Sequence, residues 1–491
     1  MKKLLYIIMF LFLICASAQG STYSYYFSNA GGGTTCSEVS PCATLAVAQA
    51  KINAANSDDT VNLYFNKGDT WTENSGTGTQ IYVGTSKPIV NIDSYGSGDK
   101  PIFDGNVSDF STAPVSGVGG YYFYNVFFKF DKPSCTIKNV EIKNVYGDAI
   151  RIASGTSLLP STVSGCTIHN IGYCAVSCAS AGVSHTLIEK NLVYTCQELH
   201  RQNTDPRKVN LYNWASAIHL HTINEASTFT DNLVRYNVVY DVSGEGITVN
   251  GGIMEYNIVG DTGSVGVYPA SCKNIPTSII ARYNLITMSS STTYKNHPGG
   301  YNGIVVYDES AVGNNASLIT EVYGNIIINR KNGIKFDIGY GDGFPIKEVR
   351  IYNNTIIDSV VYNIVINEDS YDMVVGGYIY NNASILYDRT GDHHVMDYGD
   401  PAGLSTYWTI GNNAFWDATA GDEGTVDVDW RTNYVTGNPL LYGEETTGLN
   451  WDGLGTGDPR QNTNGSEYGE WADIAYTDGS SLIGTGLNIS A

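Results

Sequence analysis

Two histidines one residue apart are the sharpest chemical signal in the chain. They stand in Ala217-Ile218-His219-Leu220-His221, where small and aliphatic residues alternate with imidazoles. A strand's period of two turns both rings to the face away from the aliphatics. Imidazole titrates near neutral pH, so the pair can supply a base, a substrate ligand or a metal ligand. Comparable stretches recur along the chain. Aligned on their inward aliphatics, they place Arg151, Ser177, His219, Thr248, Gly266, Val305 and Lys335 in one outward column. His221, Asn250, Tyr268, Tyr307, Asp337 and Asn367 make the next, with Glu245, Asp308 and Glu309 flanking the strip at turns. Tyrosine faces stack on sugar rings, while carboxylates and amides bond hydroxyls, so the strip suits a glycan. A single Lys335 or Asp337 on such a face needs no function, because an outward strand residue meets water anyway.

Two cleavage chemistries fit. Hydrolysis needs two carboxylates about 5 to 9.5 Å apart, for which Glu245, Asp308, Glu309 and Asp337 are the candidates. β-Elimination on a uronate needs a base, a proton donor and a cation to neutralise the sugar carboxylate. His219 or Lys335 would be the base, Tyr268 or Tyr307 the donor, and Arg151, Arg201 or Arg207 the cation. The number of carboxylates favours hydrolysis narrowly. The other class is a non-catalytic glycan-binding or adhesive protein, which needs only the tyrosines and amides. Residues 197–213 form an insertion carrying His200, Arg201, Asp205, Arg207 and Lys208, followed by Trp214, and a second insertion carries Lys295 and His297. Insertions in a solenoid emerge on one side and wall a cleft.

The elements that must position these residues repeat one phrase. It reads tyrosine or a polar residue, asparagine, aliphatics, a polar turn, glycine and a second alternating strand. The copies are centred on Asn237, Asn257, Asn284, Asn325 and Asn354, with weaker ones at Asn191, Asn382 and Asn413. The period of about 20 to 30 residues is that of solenoid coils. Stacked coils would bury the aliphatics and let each asparagine amide bond the next. The pattern is that of a parallel β-helix.

Composition narrows the setting. Lys2 and Lys3, the apolar run Leu4 to Ile14 and Ala16-Ser17-Ala18 read as a secretory leader over residues 1–18. Its removal leaves 25 basic residues against 48 acidic ones, which argues against nucleic acid as a partner. No other segment is apolar enough to span a bilayer, so a secreted monomer acting on a polysaccharide is expected. Cys36 and Cys42 are the best disulfide pair, and the spacing leaves the remaining cysteines open between thiols and bridges. No metal site is assigned. Asp392-His393-His394 with Asp397 holds ligand types but reads as a solvated turn, and Asp- and Asn-rich turns such as Asp458 to Asn464 are compatible with Ca²⁺.

The run from Tyr25 through Thr44-Leu45 to Lys67-Gly68-Asp69-Thr70-Trp71, with Ser94-Tyr95-Gly96 and Lys100-Pro101-Ile102-Phe103-Asp104-Gly105, resembles the opening of secreted right-handed parallel β-helix proteins. That superfamily is similar in fold to pectate lyases and holds lyases, hydrolases, epimerases and adhesins. The resemblance implies an all-β right-handed parallel β-helix. It carries an N-terminal segment with a capping helix over 19–80, coils over 81–416 and a C-terminal cap over 417–491. Fold resemblance does not select a reaction.

Overall fold

The computed structural model describes residues 20–436 apart from 74–79, 112–125, 179–182, 203–214, 221–229, 272–277, 290–299, 309–317, 339–345, 367–373, 387–393, 398–406, 412 and 418–434. Three parallel sheets, of 13, 11 and 13 strands, run the length of the described chain. Each coil visits them in turn. Strand Asn232–Arg235 lies in the first sheet, Val238–Val242 in the third and Glu245–Val249 in the eleven-stranded sheet. Strand pairing already runs from Thr22–Phe27, in register with Thr60–Asn66, ahead of the expected start of the coils.

The corners explain the repeated phrase. From Asn191 to Asn382 the residue before each ladder asparagine is left-handed: Tyr236, Tyr256 and Tyr283 all have φ near +55°, and Gly324 has +65°. One such residue turns the chain sharply without a loop. The asparagine after it is buried and repays the turn with hydrogen bonds. The amides of Asn191, Asn237, Asn257, Asn284, Asn325, Asn354 and Asn382 each donate to the side-chain oxygen of the next, ending at Asn413, at 2.9 to 3.0 Å. The same oxygen accepts the preceding asparagine's backbone N–H, as Asn257 does from Asn237 at 3.1 Å. Every copy of the phrase named from sequence takes part.

Inside, one continuous apolar cluster runs from Phe27 to Ile410. Its N-terminal end is aromatic, with Phe65 edge-on to both Trp71 and Phe103. The helix Leu45–Ala54 covers that end, burying Leu45, Ala48 and Ile52, with the Thr44 hydroxyl accepting from Val47 N–H as N-cap. It packs against strands Thr60–Asn66 and Ile81–Val83, which shields a solenoid end otherwise open to edge pairing. Cys36 and Cys42 are disulfide-bonded. Cys135, Cys166, Cys174 and Cys196 are buried free thiols, and Cys178 is half-buried with its sulfur directed to the His219 carbonyl at 3.4 Å. Cys272, the leader and residues 437–491 lie outside the described residues.

Candidate active site

The eleven-stranded sheet carries the outward columns. Four of its strands begin on a four-residue phrase: polar, small, aliphatic, polar. They are Asp148-Ala149-Ile150-Arg151, Ser216-Ala217-Ile218-His219, Glu245-Gly246-Ile247-Thr248 and Asn332-Gly333-Ile334-Lys335. The small residue faces the core. A Cβ on Gly246 would meet the Gly266 carbonyl oxygen at 2.5 Å and Val259 Cγ1 at 2.7 Å. Because the small residue and the aliphatic both turn inward, the two polar residues three apart emerge side by side. Side-chain bonds within the phrase follow, from Arg151 to Asp148, between Ser216 and His219, and from Thr248 to Glu245.

Backbone pairing then stacks the phrases. Arg151 pairs with Ser177, Ser177 with His219, His219 with Thr248 and Thr248 with Tyr268. Tyr268 thus stands where Gly266 was expected. The slip is two residues, so inward and outward faces are kept while one rung changes. In the next column Ala270, not Tyr268, pairs with Tyr307, and Tyr307 pairs with Asp337. Glu245 also differs from expectation. It opens strand Glu245–Val249, and it is 2% exposed.

These pairings bring His219, Glu245 and Arg151 into one neighbourhood. Glu245 Oε2 accepts from the Ser216 hydroxyl at 2.8 Å and from the Thr248 hydroxyl at 2.7 Å. Ser216 Oγ lies 3.1 Å from His219 Nδ1. One hydroxyl has one proton, and an ionised carboxylate only accepts. Ser216 Oγ also lies 2.5 Å from Thr248 Oγ1. With the Ser216 proton directed to Glu245, a hydrogen on Nδ1 would point to Ser216 Oγ and leave the ring's lone pair on Nε2. Ser216 and Glu245 are buried, whereas His219 is the one residue of strand Ser216–Leu220 that is only half-buried.

Beside this chain lies a second polar group. Asp148 Oδ2 accepts from the Arg151 guanidinium and, at 2.6 Å, from the Ser177 hydroxyl. Asp148 Oδ1 accepts the Cys174 N–H at 3.2 Å. Burial, reinforced by the Asp148 charge, pushes the Cys174 thiol well above its ordinary pKa, so it is no nucleophile. Arg151 Nε also reaches Ser177 Oγ at 3.4 Å, which brings the guanidinium over the rung next to His219.

The other candidates separate from this centre. Lys335 Nζ is ion-paired with Asp337, and its rung is four steps from His219, about 19 Å at the usual strand spacing. Between them Val265, Tyr268, Ala270 and Val305 form a buried apolar cluster with Tyr307 packed on it. Asn250 is fully buried and donates to the Ala270 carbonyl at 3.0 Å, which ties coils together. Arg201, on the short helix Glu198–Gln202, meets Glu198 and Asp241 at 3.0 Å each and anchors that helix to a coil corner. His221, Arg207, Trp214, Glu309, Asn367, Asp392 and His393 lie outside the described residues, and Asp308 is placed by backbone pairing alone. Asp148, Ser177, Ser216 and Thr248 were missing from the roles drawn from sequence. For Asp148 and Ser216 the signal was a polar residue three before the outward column; Ser177 and Thr248 already stood in that column without a role. Among the described residues no group of three or more His, Cys, Asp or Glu side chains could hold a metal ion.

Residues 125–279, which hold this centre, match a family model described as a right handed beta helix region. The chain is a right-handed parallel β-helix. No curated protein matches its sequence. Among solved structures, this β-helix is similar to a GH136 lacto-N-biosidase from Eubacterium ramulus at 14% identity, covering 80% of this chain and 67% of that one, with a TM-score of 0.42. It is similar to pectate lyase Pel9A at 12% identity, covering 87% and 82%, with a TM-score of 0.39. It is also similar to an alginate lyase from Paenibacillus sp. str. FPU-7 at 14% identity, covering 68% and 94%, with a TM-score of 0.33. At these identities the likeness is one of fold alone.

Proposed function

We propose that this β-helix is an exported carbohydrate-active enzyme that cleaves an anionic polysaccharide, with His219 moving the proton. The observation that carries the reading is the Glu245–Ser216–His219 chain, in which a buried serine hydroxyl links a buried carboxylate to a half-buried imidazole. A ring held with its Nδ1 protonated presents Nε2 as a base. Arg151, steadied by Asp148, stands two rungs away with its guanidinium turned over the intervening Ser177, and is the candidate cation for a sugar carboxylate.

This arrangement favours β-elimination over the hydrolysis preferred from sequence. His219 would take the proton on the carbon beside the sugar carboxylate, the bond to the glycosidic oxygen would break as a carbon–carbon double bond forms, and the departing oxygen would take a proton from solvent. Hydrolysis needs a carboxylate pair, and the two carboxylates of this centre among the described residues, Asp148 and Glu245, stand three rungs apart, about 14 Å between backbones. Each is also engaged by hydroxyls or a guanidinium.

The test is digestion of polygalacturonate, alginate, xylan and mannan by the purified chain, reading reducing ends and ultraviolet absorbance together. New ends with absorbance are expected from an acidic glycan, and His219→Ala should abolish both. New ends without absorbance would mean hydrolysis. Binding without cleavage would mean the adhesive alternative.

A further inference from the structure

Resting on that reading, we infer that Tyr82 is a sugar-stacking platform at the N-terminal end of the same outward column, and that the substrate is therefore an extended chain of several sugar rings. The outward column does not start at Arg151. Tyr82 pairs with Lys129, and Lys129 with Arg151, so the series runs Tyr82, Lys129, Arg151, Ser177, His219. Tyr82 is 45% exposed. Isolated exposed aromatics are ordinary, but this one is fixed in place on every side. Its hydroxyl donates to Asp131 Oδ2 at 2.9 Å. Lys129 Nζ stands 5.3 Å from the ring centroid and 3.3 Å from the same Asp131 oxygen. Its backbone N–H donates to Gln49 Oε1 at 2.8 Å, and its carbonyl accepts from Gln49 Nε2 at 2.9 Å. Gly84 leaves the room this needs, since a Cβ there would lie 3.3 Å from the Tyr82 hydroxyl.

An aromatic ring that is both exposed and immobilised binds a flat ligand face without losing rotamer freedom. Lys129 and Asp131 beside it offer a donor and an acceptor to ring hydroxyls. Tyr82 lies four rungs from His219, about 19 Å. A fragment bound at His219 alone cannot reach it, whereas a polymer lying along the column touches both. Tyr82 is a binding residue for long chains and has no part in the proton transfer.

The experiment is affinity electrophoresis of the full exported chain through gels containing polygalacturonate, alginate, xylan or mannan. Retardation by at least one glycan is expected. Tyr82→Ala should weaken it roughly tenfold, Tyr82→Trp should restore it, and the melting temperature of both variants should match wild type. On digestion of the same glycan, Tyr82→Ala should raise KM and leave kcat alone. If wild type is retarded and Tyr82→Ala is retarded equally, the platform is wrong while the proposed function stands. If His219→Ala still cleaves, the proposed function is wrong while a Tyr82 effect on binding still holds. No retardation by any of the four glycans overturns both.

Discussion

Ser216→Ala is the perturbation that probes the proposed centre most directly. The side chain is fully buried and its hydroxyl joins Glu245 to His219. Removing it leaves Glu245 with the Thr248 hydroxyl but ends the contact at His219 Nδ1. A hydrogen bond in a network with a charged group contributes about 1.5 to 3 kcal/mol. If that stabilisation is felt mainly as positive charge develops on the ring, kcat falls about 10- to 150-fold, at 1.36 kcal/mol per factor of ten. Ser216 lies beneath His219 and away from the groove surface, so KM should hold. Glu245→Gln, which keeps shape and removes charge, should give a loss of the same order. Initial-rate kinetics on whichever glycan is cleaved, with melting curves to confirm folding, make the assay. A folded Ser216→Ala enzyme with wild-type kcat would refute the relay and leave His219 an ordinary half-buried polar residue.

Three further outcomes follow from the rest of the molecule. Asn257→Leu removes the acceptor of the Asn237 backbone N–H and the donor to the Val234 carbonyl, two buried groups; it should cost about 2 to 6 kcal/mol in urea unfolding, and a loss near zero would show that the ladder does not stabilise the coils. Burial pushes the Cys135 thiol up to about 12 and the Cys166 thiol to about 11, so neither should react with iodoacetamide until the chain unfolds; labelling of either in the native protein, read by mass spectrometry, would contradict this burial. Burial opposes ionisation of Glu141, but His169 at 3.3 Å and the Lys143 and Lys100 charges outweigh it and hold its pKa below the usual carboxylate value. A carboxylate with a depressed folded pKa adds stability above its unfolded pKa and loses it as pH falls through the folded one. Glu141→Gln should therefore lose less stability than wild type on acidification, and identical melting-versus-pH curves would remove this contribution.

The fold was legible because its signals are local and repeated. A left-handed residue, a buried asparagine and two or three aliphatics recur in the same order, and each copy says the same thing about its corner. The candidate site was legible only in part. Period two assigned the faces of His219, Arg151 and Lys335 correctly, since a strand's parity survives small errors. Register did not follow. Strand Val265–Ser271 opens on Val265-Gly266-Val267, and either valine can be taken as the partner of Ile247; pairing chooses Val267. Burial was harder still. Arg151 and Glu245 look like free charges in the sequence, yet each is largely buried and held by a partner that pairing brings in from a neighbouring coil or from three residues away. Lys335 and Asp337 satisfy each other, while the long apolar step at Tyr268 and Val305 keeps them from His219.

The two halves of the design sit at different corners of each coil. The asparagine ladder lies where the first sheet turns into the third, and the candidate chemistry lies on the outer face of the eleven-stranded sheet. What links them is the small residue second in these strands. At Gly246, Gly266, Gly303 and Gly333 an added Cβ would collide with the aliphatics of the third sheet, at 2.7 Å from Val259 and at 2.3 to 2.5 Å from Ile286, Ile327 and Ile356. The third sheet therefore sets how closely the site-bearing strands approach, and the asparagine corner fixes where the third sheet begins. A glycine-to-valine change at Gly246 would push strand Glu245–Val249 outward and separate Thr248 and Glu245 from Ser216. Residues on the outer face can vary without touching this spacing, because none of them contributes to the ladder. The centre at His219 is thus held by a scaffold whose stabilising bonds are made elsewhere, which suits a site whose members must keep fixed distances through turnover.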